Sequence, residues 1–366
     1  MNRSQGLWKG LWSDPLARAG LLVIVIFSMV AIAGAYLRPD SSSFANEQHL
    51  ALARSAPGTE VKFFSVAKDV PTSNVPLQGL FFGGLEQGHE RYPFDSVQIG
   101  DNELALYLDG HQTYRSDRIA GRPLARLSHG EAMQSVDEYT EHQTFVLGTD
   151  SFGRDMLSRL MGGSMISLSV GFISVLISLL IGITLGAIAG YFRGVTDGLI
   201  MWLINVIWSI PTLLMVIAIT LVMGKGFVQV FIAVGLTMWV EVARVVRGQF
   251  LSIRELPYLE AGRSMGYSSR RLIFKHMLPN AMGPVIVISA ANFASAILIE
   301  AGLSFLGIGT QIPMPSWGGM IKEHYAYITT DMAYLAILPG ICITLLVLSL
   351  MLIGNRLRDI LDVRTA

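Results

Sequence analysis

Long apolar runs, each close to the length of a membrane-spanning helix, dominate the pattern of hydrophobic and polar positions along this chain. A bilayer core of about 30 Å needs roughly 20 apolar residues in helical form. The runs predict six transmembrane helices, at Ala17–Leu37, Ser164–Tyr191, Leu199–Met223, Phe227–Val246, Gly283–Leu306 and Met332–Asn355. No clear cleavage site follows the first run, which is longer than the apolar part of a signal peptide, so we expect it to stay uncleaved. Pro211 removes a helix hydrogen bond and predicts a kink in the third span.

The segment between the first two spans has a different character, with many proline, glycine and polar residues. Glu103–Leu108 alternates apolar and polar positions and is followed by Asp109-Gly110, a pair typical of a tight hairpin turn. Glu60–Val66 predicts another strand. The chain therefore divides into a first span within 1–37, a partly β insertion at 38–152, and a transmembrane core at 153–366.

The placement of lysine and arginine predicts the direction of the spans, because these residues collect in short cytoplasmic loops. They precede the first span, follow the sixth, and lie between the fourth and fifth: Arg3, Lys9, Arg18, Arg244, Arg247, Arg254, Arg263, Arg270, Arg271, Lys275, Arg356, Arg358 and Arg364. With six spans, all three regions fall on one side. Both termini are thus predicted to be cytoplasmic, and the insertion extracytoplasmic.

Composition agrees with a protein that is solvated by lipid. Hydrophobic residues make up 52% of the chain and charged residues 15%, where a soluble domain has about 25% charged residues. The net charge of zero gives no indication of a nucleic-acid partner. Cys342 is the only cysteine, so an intrachain disulfide is excluded.

No pattern in the sequence predicts catalysis, a cofactor or a metal ion. Five histidines fall in the insertion, but none has the spacing of a metal-ligand pair: His49, His89, His111, His129 and His142. The chain also has no Gly-x4-Gly-Lys-Ser/Thr phosphate loop, so it is not predicted to hydrolyse ATP by itself.

The basic segment between the fourth and fifth spans carries apolar residues at helical spacing, which predicts one or two short amphipathic helices. Gly266 is placed to turn one helix into the next, and Pro279 to end the second. Such a helix-turn-helix on the membrane surface suits docking into a groove of another protein.

Three motifs, which lie along the chain in the order and at the membrane positions expected, resemble those of ATP-binding-cassette (ABC) importer permeases. The first, within a loop at about 248–280, is similar to their EAA loop and comprises Tyr258, Glu260, Ala261, Gly262, Gly266, His276, Leu278 and Pro279. Two of its positions depart from the family pattern, because Gly262 replaces an alanine and His276 an apolar residue. The second motif precedes the second span: Gly148, Thr149, Asp150, Gly153, Arg154 and Asp155. The third is Glu300–Gly307, at the end of the fifth span.

The last two motifs resemble the C-type permeases of dipeptide and oligopeptide importers, which have nickel and glutathione relatives. The resemblance covers about 145–362 and implies a six-span, all-α subunit of the bacterial inner membrane, surrounded by lipid. It implies a second, homologous permease, two cytoplasmic ATPase subunits at the EAA loop, and an extracytoplasmic substrate-binding protein. Peptides are the first expectation for the cargo, with nickel chelates or glutathione as alternatives.

Other interpretations stay open at this point. A self-contained secondary transporter would show internal repeats and charged residues at mid-membrane, and a membrane-anchored sensor would need a cytoplasmic output domain. Asp150 and Asp155 could serve only as helix caps. Glu300, taken as the one deep carboxylate, could line the pathway or bond to a neighbouring helix.

Overall fold

The computed structural model describes residues 10–67, 89–100, 103–119, 122–124, 128–224 and 226–362. The helices are α1 Pro15–Leu37, α2 His129–Glu138, α3 Met156–Phe192, α4 Gly194–Trp208, α5 Thr212–Met223, α6 Phe227–Arg254, α7 Pro257–Ser264, α8 Ser269–Arg271, α9 Leu278–Phe305, α10 Trp317–His324 and α11 Tyr334–Asp362. A π-helical turn, Leu272–Met277, connects α8 to α9. Arg3, Lys9 and Arg364, which contribute to the charge pattern, lie outside the described residues.

Five helical stretches of the described chain are long and apolar enough to cross a membrane, namely α1, α3, α6, α11 and the stretch from α8 through α9. The pair α4 and α5 would make a sixth, but their axes are bent by 89°. The sequence predicted only a kink at Pro211, whereas the structure has a break between two separate helices. Pro211 has an extended backbone (ψ 125°). The helical hydrogen bonds of α4 therefore stop before it, and a separate helix, α5, begins after it.

Two boundaries around the basic loop differ from the prediction. Helix α6 continues to Arg254 rather than ending near Val246, so Arg244 and Arg247 lie on a helix and not in a loop. Pro279 does not end a helix; it lies near the start of α9, within the continuous helical stretch from α8 through α9.

Helix α3 packs on α6 through glycines spaced four residues apart. A Cβ atom at Gly182 would lie 2.7 Å from the Trp239 carbonyl oxygen, and one at Gly186 would lie 2.5 Å from that of Ala243. At Gly190 the same atom would lie 2.5 Å from a side chain of α6. Only glycine allows this separation, and the small-residue face brings the two backbones into direct contact, as at other membrane helix interfaces.

The insertion is a small α+β unit, with β1 Thr59–Ala67, β2 His89–Phe94, β3 Ser96–Ile99, β4 Leu104–Leu108, β5 His111–Ser116, β6 Arg118–Ile119, β7 Arg122–Pro123 and β8 Thr140–Phe145. The described strands form antiparallel sheets in the orders β2-β1-β8, β3-β4-β5 and β6-β7. The predicted hairpin is confirmed: β4 and β5 turn at Asp109 and Gly110, both with positive φ, of 51° and 78°.

Candidate functional site

The segment between α6 and α9 forms a folded elbow on the side of the molecule that holds the described N- and C-terminal residues. Its apolar side chains point inward, since Leu259, Leu272 and Met277 are almost fully buried against Phe250 of α6. Arg356 near the end of α11 donates a hydrogen bond of 3.1 Å to the carbonyl oxygen of Gly10. The elbow is thus supported by the core of the transmembrane bundle.

Gly266 ends α7 with a left-handed residue. Its φ is +75°, its N–H donates to the carbonyl of Arg263 (2.9 Å), and the next N–H, of Tyr267, donates to the carbonyl of Gly262 (3.0 Å). This pair of bonds is the Schellman motif, which satisfies the last carbonyls of a helix and reverses the chain. A Cβ at position 266 would meet no atom within 4 Å, so the need for glycine here is conformational.

Gly262, which departs from the family's alanine, lies on the buried side of α7. A Cβ there would lie 3.2 Å from Leu272 and 3.3 Å from the Tyr267 ring, both closer than ordinary contact. The ring of Tyr267 in turn stacks on His276, with centroids 6.0 Å apart and planes 19° apart. Gly262 and His276, the two positions that differ from the family pattern, are therefore connected, because both lie against the ring of Tyr267.

The first turns of α7 and α9 are tied together by side chains. The amide nitrogen of Asn280 donates to the Tyr258 hydroxyl (3.1 Å) and to the carbonyl oxygen of His276 (2.7 Å). Leu278 and Pro279 open α9 directly beside this contact. Glu260 and Ala261 are exposed on the outer face of α7, and Glu260 lies in its first turn, where a carboxylate favours the helix dipole.

A basic groove runs along the exposed face of the elbow. It is a cavity of about 460 Å³, lined by Ser268, Arg270, Arg271, Phe274 and Lys275. Phe274 in this groove is 64% exposed, and so is Met265 at the end of α7, so large apolar side chains accompany the positive charge on the elbow. An exposed apolar and cationic surface on a rigid support suits binding to an acidic, partly apolar partner.

The motif before α3 forms a compact turn at the opposite end of the bundle. Gly148 and Gly153 both have positive φ, and a Cβ on them would lie 2.4 Å from the Ser55 carbonyl oxygen and 1.8 Å from that of His49. The buried Thr149 hydroxyl accepts a hydrogen bond of 2.8 Å from the N–H of Ser55. Both glycines are thus required because the first segment of the insertion lies directly on this turn.

Buried charges of this motif reach across to α10. Arg154 donates to Asp150 (Nε–Oδ2 2.5 Å) and to Glu323 (Nη2–Oε2 2.6 Å). Arg159 lies 3.6 Å from Asp150 and 3.9 Å from Glu323. Asp150, Arg154 and Arg159 are each at most 2% exposed, so the network joins the motif and α3 to the partly exposed Glu323 of α10 through buried charges.

Asp155 caps the N-terminus of α3 by accepting a hydrogen bond of 2.8 Å from the Ser158 N–H. This agrees with the interpretation of Asp155 as a helix cap. Burial raises the pKa of Asp155, and the hydrogen bonds from Ser158 oppose that rise. Asp150 has a different role, since it accepts from the N–H groups of Phe152 and Arg154 in addition to the guanidinium.

Asp150, Glu323 and His324 also bring possible metal-ligand atoms within 4.8 Å of one another. The same two carboxylates already bind the guanidinium groups of Arg154 and Arg159. A divalent cation would have to displace these charges, so the arrangement fits an ion-pair network better than a metal centre.

Glu300 is fully buried inside the chain. Its carboxylate accepts a hydrogen bond of 2.7 Å from Ser304 Oγ, which also accepts from the N–H of Thr310 (3.2 Å). The carboxylate therefore connects the end of α9 to the turn that follows it. The expectation that Glu300 is the one deep carboxylate is wrong, because Glu241 lies midway along α6.

The chain is similar to several known membrane proteins. A sequence model of the family described as "binding-protein-dependent transport system inner membrane component" matches residues 182–366. The oligopeptide transport system permease protein OppC of Bacillus subtilis (strain 168) is 39% identical over 285 residues, which is 73% of this chain and 93% of OppC. The glutathione transport system permease protein GsiD of Pectobacterium atrosepticum is 41% identical over 219 residues, 59% of this chain and 71% of GsiD.

A further relative is the di/tripeptide transport system permease protein DppC of Pseudomonas aeruginosa (strain UCBPP-PA14), which is 41% identical over 218 residues, 60% of this chain and 72% of DppC. Among solved structures, an inward-facing form of the MetNI methionine ABC transporter matches with a TM-score of 0.46 and 18% identity, over 56% of this chain and 97% of that one.

Proposed function

Because the chain belongs to the family of binding-protein-dependent transport system inner membrane components, and is a permease subunit of an ABC importer, we propose that its cargo is peptides. The predicted resemblance to this family is confirmed. The relatives are transport permease subunits, and membership implies ATPase partners and a second permease. This supports neither a self-contained secondary transporter nor a sensor.

The cargo proposal rests on what the relatives' names have in common. OppC is named for oligopeptides, DppC for di- and tripeptides, and GsiD for glutathione, itself a small peptide-like molecule. All of these cargoes have a free amino group and a free carboxylate. Short peptides are therefore the proposed cargo, with glutathione as the second candidate, since a relative of similar identity is named for it.

The observation that supports coupling to an ATPase is the elbow after α6, with its basic groove beside the Gly266 turn. We assign the docking contact to the exposed face that includes Tyr258, Glu260, Ala261 and Phe274. This face is supported from the side of the bundle by Gly262, His276, Leu278 and Pro279. One of two ATPase subunits would bind here, and the other on the second permease.

This assignment implies an orientation in the membrane. A Cβ on Gly283, just after the elbow, would lie 3.7 Å from Leu361, and Arg356 bonds to Gly10, so the elbow and both described chain ends lie at one end of the bundle. The elbow and the chain ends would then face the cytoplasm of a bacterium, in its inner membrane. The insertion, at the other end, would be extracytoplasmic. It lies where a substrate-binding protein would deliver cargo, and the buried network of Asp150, Arg154 and Glu323 would hold it in place.

Uptake by the complete transporter tests the proposal. The chain is co-expressed with its partner permease, ATPases and binding protein, and the complex is reconstituted in proteoliposomes. Labelled dipeptide, hexapeptide, glutathione and a nickel chelate are supplied one at a time, with ATP inside or outside the vesicles. ATP-dependent accumulation of peptide is expected. Accumulation of only glutathione or nickel chelate would overturn the peptide assignment.

A further inference from the structure

A carboxylate lies within the predicted fourth span, Phe227–Val246, one helical turn before Arg244. Glu241 is midway along α6, about 20 Å of helix from either end, and its side chain is exposed on the surface of the chain. Among the described residues, no hydrogen bond or ion pair joins it to another side chain. A carboxylate at this depth is costly in lipid, so it is found facing water or a polar partner.

Glu241 opens into a cavity of about 330 Å³ at the break between α4 and α5, which α6 and α9 complete. Of the described residues that line this cavity, only Glu241 is ionisable; its polar neighbours there are Thr212, Thr237 and Ser295. Irregular backbone at membrane depth is tolerated where it lines a cavity, and residues at the 89° break line the same cavity as Glu241. The volume is at the lower end of the range for small-molecule sites.

The nearest cations on α6 bind to α4, and Arg244 does so at the rim of the cavity, because the Trp208 ring also lines it. The Arg244 guanidinium lies 3.5 Å from the centre of the Trp208 ring and donates to the Asn205 side-chain oxygen at 2.8 Å. Arg247 pairs with Asp197 through two hydrogen bonds of 2.5 and 2.7 Å. These contacts direct both guanidinium groups to α4, so the negative charge at the cavity has no counterion from these two arginines.

We infer that Glu241 forms a cation-binding position on the transport pathway, which takes the protonated amino group of the passing peptide. This inference rests on the proposed function, and it specifies the part of the cargo that this subunit recognises. The Thr237 hydroxyl, which donates to the Val234 carbonyl, would accept from the same ammonium group, and the Ser295 hydroxyl on an adjoining wall would serve the ammonium group or the first peptide carbonyl. The charge favours cargo with a free amino end and disfavours an anionic group at that depth.

Accessibility is tested first. In a Cys342→Ala background, Glu241→Cys is introduced into the assembled transporter and treated with a small, water-soluble cationic thiol reagent. Rapid modification, slowed by transportable peptide, is expected. A residue that is not modified is covered by lipid or by the second permease, and the inference is then wrong.

Selectivity is tested by uptake in proteoliposomes, at saturating loaded binding protein, with one tripeptide in free and N-acetylated form. Glu241→Gln should lower uptake of the free peptide about tenfold, the effect of losing one charge-assisted hydrogen bond, and leave the N-acetylated form unchanged. Glu241→Asp should retain most of the uptake. Asp359→Asn, an exposed charge at the end of α11, is the control and should match wild type.

Three results separate the failures. Equal loss of both peptides in Glu241→Gln, or loss of neither, overturns the ammonium assignment while the peptide importer stands. If the wild-type complex accumulates no peptide of either form, the proposed function fails and the inference fails with it. Co-purification of all subunits with the Glu241→Gln variant excludes misassembly as the cause of a selective loss.

Discussion

The Gly266 turn allows the docking proposal to be tested by backbone conformation alone. With φ at +75° and no atom within 4 Å of a built Cβ, a side chain at 266 affects the elbow only through its preference for left-handed backbone. Alanine costs about 1 kcal/mol there, and a β-branched residue costs more. Asparagine tolerates this conformation well. The population of elbows with the left-handed turn at position 266 should therefore be highest with glycine and fall through asparagine and alanine to valine.

A cost of about 1 kcal/mol corresponds to roughly a fivefold loss of binding, and 1.4 kcal/mol to tenfold. Co-purification of the ATPase subunits, measured at limiting concentration, should fall about fivefold for Gly266→Ala and at least tenfold for Gly266→Val, with Gly266→Asn closer to wild type. Peptide uptake should fall in the same order.

The matched control is Gly110→Ala in the β4–β5 turn. Gly110 has φ +78° and equally open surroundings, so the strain is the same at a position far from the elbow. This variant should keep normal ATPase co-purification. If Gly266→Val also binds the ATPases like wild type, the elbow is not the docking surface. If Gly266→Asn binds as poorly as Gly266→Val, contact bulk rather than conformation decides docking.

Three further variants test other parts of the structure. Gly153→Ala places a Cβ 1.8 Å from a backbone oxygen, so we expect loss of folded protein in thermal unfolding assays, whereas Gly130→Ala, with open space, should be neutral. Glu323→Gln removes one partner of buried Arg154 and should destabilise the protein by about 3 kcal/mol, seen as a lower melting temperature; an unchanged value would contradict the network. For topology, cysteine at Ser96 should react with an impermeant reagent on intact cells and cysteine at Ser269 should not, each in a variant without the native cysteine.

The sequence was sufficient to predict the apolar spans and the short helices of the loop after α6, for a physical reason. Lipid forces backbone groups to bond within each helix, so a span has to be a long apolar run, and Gly266 was identifiable because a turn between two amphipathic helices needs left-handed backbone. The break at Pro211 was underestimated, since a proline alone indicates a lost hydrogen bond but not the angle that follows.

Long-range polar contacts were beyond such reasoning. The Arg154–Glu323 bond joins residues separated by 169 positions, and no local pattern pairs them. Glu241 was different, because a carboxylate inside a predicted span was visible in the sequence and was overlooked in favour of Glu300. Its exposure and its cavity, by contrast, depend on how α4 and α5 bend.

The glycine face between α3 and α6 has a mechanical consequence. Helix α3 is about 55 Å long, longer than a bilayer core is thick, and it begins at the buried network beneath the insertion. Helix α6 ends at the elbow. Since Gly182, Gly186 and Gly190 leave no gap between the two backbones, we expect the pair to tilt as one lever. A push on the elbow by a closing ATPase would then displace the far end of α3, some tens of ångströms away, where it adjoins the insertion.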